Sequence, residues 1–140
     1  MPALDDDDLR RRLAAARVAR LATLRADGTP RLVPITFALV DGLICSAVDE
    51  VKPKRSAKLA RLADIERDPR VGLVVDRYDD DWSSLWWVRV DGTAEVQRDG
   101  GLRERALDVL AEKYPPYRAA RPRGPLVVIT PARWAGWSAS

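Results

Sequence analysis

Apolar and polar positions along the 140-residue chain change period several times, and each change marks an element. Residues 5–16 begin acidic, turn basic at Arg10 to Arg12, and carry Leu9, Leu13 and Ala16 at spacings of four and three. This predicts a first helix, with residues 1–17 packing on one end of the fold. From Val18 the apolar residues alternate or run in short pieces, broken at Asp27-Gly28 and Asp41-Gly42. Aspartate-glycine tolerates the positive φ of tight hairpins, so three antiparallel strands are expected over residues 18–25, 30–40 and 43–47. Pro34 has no amide to give a ladder, which places its strand at an edge or puts a bulge there. Such a bulge leaves neighbouring backbone groups free for a ligand.

Helical spacing returns over residues 57–67, with Leu59, Leu62 and Ala63 on one side and Lys58 and Arg61 on another, where a solvated helix face is the plain reading. This helix stops before Pro69. Residues 71–78 are β-branched and read as a buried strand. In the strand expected over residues 85–97, Trp86, Val88 and Val90 share one face, and Leu85, Trp87 and Arg89 the other. Gly92 marks a bulge or bend. A helix over residues 102–114 ends at Pro115-Pro116, and the basic loop that follows leads to a last strand at 126–130, whose continuation carries Trp134 and Trp137. The sum is a mainly β (α+β) fold: six antiparallel strands closed into a small barrel, with short helices as plugs. The length suits one domain, residues 1–140.

Charge sharpens this picture at one place. The net charge is only +3, yet the segment VKPKRSAKLAR at 51–61 holds Lys52, Lys54, Arg55, Lys58 and Arg61 with no acid among them. It joins a strand to a helix, and Ser56 is placed to cap that helix. Free amides and the positive end of the helix dipole then stand beside Lys54 and Arg55, which makes an anion site. A nucleic-acid role is not expected, because acidic clusters at Asp5 to Asp8 and Asp76 to Asp81 would repel a polyanion. Those aspartates match no calcium loop, and no metal site is expected. A single cysteine, Cys45, points to a reducing, cytoplasmic setting, and no apolar run is long enough to span a membrane.

The chain contains no histidine, so the Ser-His and Cys-His arrangements and the usual nitrogen metal ligand are excluded. If the protein is an enzyme, a bound cofactor carries the chemistry, and no side chain is singled out as catalytic. Tyr78, a bound water or the solvent remain open as proton sources. Arg89, inside a strand, either pairs with a nearby acid or reaches a ligand.

The order of pieces, LATLRADGTPRLVP, then KPKR and a helix ending DPRVGLVVDRY, then DDDWSSLWWVRVDG and EKYPPY, resembles the split β-barrel superfamily of flavin- and deazaflavin-dependent oxidoreductases. This superfamily includes the pyridoxamine 5'-phosphate oxidase-like proteins. Within it, the KPKR, DDDWSSLWWVRVDG and EKYPPY stretches look most like the actinobacterial branch that uses coenzyme F420. The resemblance implies an FMN-binding split-barrel fold and a homodimer with two cofactor sites at its interface. It also implies that Lys52, Lys54, Arg55, Ser56 and Lys58 hold the cofactor's phosphate. The ring would lie against Val33 to Thr36, including Pro34, Ile35 and Thr36, and against Cys45, Ser46 and Ala47. Aromatic residues of the partner subunit would complete the pocket, with Trp86, Trp87 and Trp137 as candidates, and Arg89 is a further candidate. The implied activity is F420-dependent hydride transfer to an electrophilic small molecule. FMN is the alternative cofactor, and a non-catalytic cofactor- or tetrapyrrole-binding protein the alternative role. The end of the chain, ARWAGWSAS, lacks the Arg-Leu-x-Pro substrate motif of true pyridoxamine phosphate oxidases, which argues against formation of pyridoxal phosphate.

Overall fold

A computed structural model describes residues 3–48 and 57–140, with the backbone alone for residues 57–59. Asp5 caps the first helix, α1 (Asp6–Ala15), by accepting the Asp8 amide at 2.8 Å, and α1 buries Leu9 and Leu13. The strands are β1 (Ala19–Leu24), β2 (Pro30–Ile35), β3 (Ala38–Val40), β4 (Leu43–Ala47), β5 (Arg70–Arg77), β6 (Trp86–Gln97) and β7 (Leu126–Ser138). Between them lie α2 (Ala57–Arg67), a 3-10 turn at Trp82–Ser84, α3 (Gly101–Lys113) and α4 (Pro115–Ala119).

All seven strands form one antiparallel sheet in the order β2-β1-β5-β6-β7-β4-β3. Its two edges, β2 and β3, are consecutive in the chain and separated only by Thr36 and Phe37. The three Cα–Cα steps from Ile35 to Ala38 span only about 10 Å, so the sheet must curl until its edges meet there. The result is a split barrel closed by a covalent seam. The expected strand over residues 30–40 is therefore two strands, and the count is seven instead of six. Pro34 does lie on an edge strand, in register with Arg20.

Alternation along each strand separates a wet face from the core. Leu21, Leu73, Val75, Val88, Val90 and Ile129 point inward and meet Leu9 and Leu13 of α1 and Leu62 and Ile65 of α2, which plug the barrel. A second cluster, Ala38, Cys45, Leu126 and Val128, lies on the other face of the sheet beneath Ala106, Leu107 and Leu110 of α3. The β3–β4 hairpin turns at Asp41 and Gly42, with φ of 52° and 80°, as a two-residue turn of this type requires. The β6–β7 register slips between Asp91 and Gly92, where a Cβ would overlap the Thr130 carbonyl. The last strand thus continues to Ser138 by way of a bulge. Pro115 and Pro116 end α3 and also begin α4, an element the sequence had shown only as loop.

Candidate functional site: the seam between the sheet edges

The seam is built by the EKYPPY segment. Phe37 donates its N–H to the Tyr114 hydroxyl at 3.1 Å, and its carbonyl accepts from Lys113 Nζ at 2.9 Å. The Tyr114 hydroxyl lies 3.0 Å from the same carbonyl and 2.9 Å from that of Arg17, and its one proton serves one of them at a time. The Lys113 ammonium also sits 4.0 Å from the centre of the Phe37 ring. Burial, with help from nearby Arg17, lowers the Lys113 pKa to about 8. One residue earlier, the Thr36 and Tyr117 hydroxyls are 2.7 Å apart.

These contacts have a consequence for β4. β3 begins at Ala38, opposite Cys45, so continuing the register would set Phe37 beside Ser46 and Thr36 beside Ala47. Tyr114 and Lys113 take the Phe37 backbone groups instead. Ser46 and Ala47 therefore pair with Val127 and Leu126 of β7 on one side, while on the other they run past the end of β3. Strand backbone that extends beyond its neighbour is free, on that side, to meet a planar polar ring. The Ser46 hydroxyl is buried, with no hydrogen-bond partner among the described residues. Cys45 points the other way, under α3, and burial first, then Asp41, push its thiol up to about 11. Its side chain is a packing residue.

The site residues expected from sequence sort into two groups. Thr36, Cys45, Ser46 and Ala47 converge at the seam, with Ile35 buried in the core beside it. Pro34, Trp87, Arg89 and Trp137 lie instead on the outer face of the sheet, in pairs Arg20–Pro34, Val74–Arg89 and Trp87–Trp137. Pro34 and Arg89 stand in one cross-strand row, three strand spacings or roughly 14 Å apart. No single chain can close both groups around one ring. The Arg89 guanidinium stacks 5.3 Å from the Trp87 ring centre, so it is neither buried nor paired with an acid among the described residues. Trp86 faces inward against the core beneath Arg12, which removes it from the pocket. Tyr78 is 70 % exposed, just past the end of β5. Lys52, Lys54, Arg55 and Ser56 lie outside the described residues, as does the side chain of Lys58 on α2.

On α2 the expected faces hold for Leu62 but not for Ala63 or Arg61. Ala63 is exposed, and the buried stripe is Arg61, Leu62, Asp64 and Ile65. Asp64 accepts from Thr23 Oγ1 at 2.8 Å, Arg31 Nε at 2.6 Å and Arg67 at 3.0 Å, which ties the plug helix to β1 and β2. Burial works to raise its pKa; the bonds from Arg31, Thr23 and Arg67 outweigh that and hold it below the usual carboxylate range. Charged residues in a buried stripe defeat a search for apolar periodicity, and the only sequence signal for them is their i, i+3 spacing.

The comparisons with known proteins fit this geometry. A model of the family described as pyridoxamine 5'-phosphate oxidase matches residues 5–138. The chain belongs to that family. Among solved structures, the pyridoxamine 5'-phosphate oxidase fold of this chain is similar to a conserved hypothetical protein, Rv2991, from Mycobacterium tuberculosis, at 21 % identity and a TM-score of 0.80, covering 97 % of this chain and 86 % of that one. A FAD-binding protein from Mesorhizobium loti matches at 24 % identity and a TM-score of 0.72, with 96 % and 95 % covered. The FAD binding protein from Mycobacterium smegmatis matches at 20 % identity and a TM-score of 0.66, with 97 % of each covered. A comparison with curated proteins found no match.

Proposed function

We propose that this protein is a homodimeric oxidoreductase that binds coenzyme F420 and reduces an electrophilic small molecule, with FMN as the alternative cofactor. The reading rests on one observation: β4 runs past β3 at Ser46 and Ala47, beside Thr36 and with a Ser46 hydroxyl that has no partner among the described residues. Backbone groups and a buried hydroxyl at that edge fit the carbonyl and N–H edge of a flavin or deazaflavin ring. The FAD-binding proteins named above, which share the fold, support a cofactor of this type.

The roles of the chain's own residues follow from their places. Lys52, Lys54, Arg55 and Lys58, with Ser56, surround the start of α2 in sequence and neutralise an anionic tail. The richer cation set suits the longer acidic tail of F420 over the single phosphate of FMN. Thr36, held by Tyr117, and the backbone of 45–47 orient the ring. The outer face that carries Trp87, Arg89 and Trp137 is covered by a second copy, which brings aromatic walls to its neighbour's seam and excludes water. Bound in this way, the cofactor supplies the hydride. With no histidine in the chain and Cys45 held under α3, neither of the two side chains that most often ligate a haem iron is free to do so.

The test is an anaerobic assay in which reduced F420 and reduced FMN are each mixed with the protein and a panel of enones, quinones and biliverdin. Oxidation of F420 that depends on both protein and acceptor is expected. Turnover with FMN alone would transfer the reading to the alternative cofactor, and binding of either without turnover on any acceptor would remove the enzymatic claim.

A further inference from the structure

The step between β2 and β3 is held by side chains. Thr36 and Phe37 belong to neither strand, and among the described residues both backbone groups of Phe37 are met by the end of α3, through the Tyr114 hydroxyl and Lys113 Nζ. Arg17 closes the circle: its guanidinium donates to the Lys113 carbonyl at 2.6 Å, and its own carbonyl lies 2.9 Å from the Tyr114 hydroxyl. Pro115 follows Tyr114 at once and restricts its backbone, so the hydroxyl cannot drift with a fraying helix end. Of the two groups that grip Phe37, the stronger is a cation. An ionised donor makes a hydrogen bond roughly twice as strong as a neutral one, and the Lys113 ammonium also lies 4.0 Å from the Phe37 ring centre and 5.2 Å from that of Tyr114. A neutral amine keeps a weaker bond and loses the attraction of its charge to both rings. Lys113 is half-buried, and burial first, then Arg17, bring its titration down to about pH 8. Among the described residues, the other ionisable groups around it are Arg17 and the Tyr114 phenol, with Tyr117 edge-on to Tyr114 at 5.6 Å. Burial raises the Tyr114 pKa, so that phenol stays protonated while Lys113 titrates. Glu112 and Arg118 line a separate groove with Asp108 and Arg121.

We infer that Lys113 and Tyr114 are positioning residues for the ligand edge formed by Thr36 and Ala47, and that they make its hold on a ring dependent on pH. This rests on the cofactor reading above and deepens it by naming how the site is regulated. The link is short. Thr36 is joined through one peptide bond to Phe37, its hydroxyl is 2.7 Å from that of Tyr117, and the register running on from β3 brings it beside Ala47. While Lys113 is charged, Phe37 is fixed from α3 and Thr36 is set in advance of binding. Once Lys113 is neutral, the step relies on the two phenols, and order that was built in must be supplied on binding, which lowers affinity.

The test combines nuclear magnetic resonance of the free protein with cofactor titration, on the full chain as wild type, Lys113→Arg, Lys113→Met and Tyr114→Phe. In the free wild type, the amide signals of Thr36 and Ala47 are expected to move together with pH, with a midpoint at about 8. Lys113→Arg keeps its charge throughout this range and should hold both signals still. Affinity for F420 by fluorescence, and for FMN by absorbance, should fall about tenfold between pH 7 and 9 in wild type, since the charged fraction of a group titrating near 8 drops from about nine-tenths to one-tenth. The slope is read as the difference from Lys113→Arg, which cancels titration of the cofactor itself. Lys113→Met should bind at the weak, high-pH level throughout, and Tyr114→Phe should bind more weakly while keeping the slope. The arginine and phenylalanine variants decide the matter if the methionine variant does not fold. Cofactor binding with one pH profile in wild type and Lys113→Arg overturns the inference and leaves the proposed function standing. If neither cofactor binds, the proposed function falls and the amide signals alone decide: a shared midpoint that Lys113→Arg abolishes keeps the hold on that edge, and signals indifferent to the substitution remove it.

Discussion

Asp64 shows how one side chain can fix a plug helix in a barrel. Its side chain is 3 % exposed and receives donors from β1, β2 and its own helix, so removing its charge leaves Arg31 and Arg67 facing a neutral amide. Asp64→Asn is expected to lower stability by roughly 3 kcal/mol, as for other broken buried pairs, read by urea unfolding at neutral pH. The pH dependence follows from the sign of its shift. A carboxylate held below its ordinary pKa contributes stability that is present above about pH 4 and lost as the pH falls through the folded-state value, so the variant's acid limb should be flatter than wild type's. Two other residues oppose each other on the alkaline side. Lys113 titrates near 8 in the fold and near 10.4 when unfolded, so stability climbs with pH between those values. Cys45 titrates near 11 in the fold and near 8.5 when unfolded, so its contribution falls across an overlapping range. Between pH 8 and 10, Tm should therefore slope downward in Lys113→Met and upward in Cys45→Ala, and two parallel profiles would contradict the assignment. Neither the Asp64 nor the Lys113 environment was legible in the sequence. Asp64 and Lys113 are polar residues whose burial depends on partners 33 to 41 and 76 residues away, and no local pattern encodes such distances. Cys45 sits under α3, in a strand whose residues 44–47 are all buried.

At the scale of elements, β6 and β7 form the longest ladder, and the slip at Asp91 and Gly92 lets them bend around the barrel. A methyl group at residue 92 would enter the Thr130 carbonyl, which is backbone and cannot swing away. Gly92→Ala should therefore cost about 2 kcal/mol or more, seen as a lower urea midpoint with an unchanged m-value. The bend at Gly92 was readable from a glycine inside an otherwise β-branched run, as were the Asp41-Gly42 hairpin and the edge position of Pro34. Two elements escaped for physical reasons. The break at Thr36 and Phe37 is imposed by Tyr114 and Lys113, long-range partners with no trace in the local alternation. Pro115-Pro116 read only as a stop, although proline also suits the first turn of a helix, and α4 begins there. That short helix carries Tyr117 to Thr36 and so completes the seam.

At the scale of the whole molecule, the helices reach the sheet through its inner face, as Leu9 does near Gly136 and Asp64 at Thr23, or cover the β3–β4 end, as α3 does. The opposite face keeps Trp87 and Trp137 side by side, with Val74 and a 69 % exposed Leu32 further along. An apolar sheet face of this kind suits a second copy, whose symmetry would repeat the contact. Trp87→Glu is expected to turn a dimer into a monomer in sedimentation velocity while leaving the far-ultraviolet spectrum unchanged; a monomeric wild type would refute the interface. The barrel itself was legible from the order of strand and turn signals, but the division of site residues between the seam and this outer face was not, because it follows from curling seven strands until their edges meet. The central claim is that an anionic cofactor is held between the end of β4 and the start of α2. Its most direct measurement is a fluorescence titration of the wild-type protein, Lys54→Ala and Arg55→Ala with F420, repeated with FMN by absorbance. Saturable binding of one cofactor per chain is predicted, weakened at least tenfold, or about 1.4 kcal/mol, by each substitution. Affinities equal in all three proteins, or no binding of either cofactor, would contradict the account.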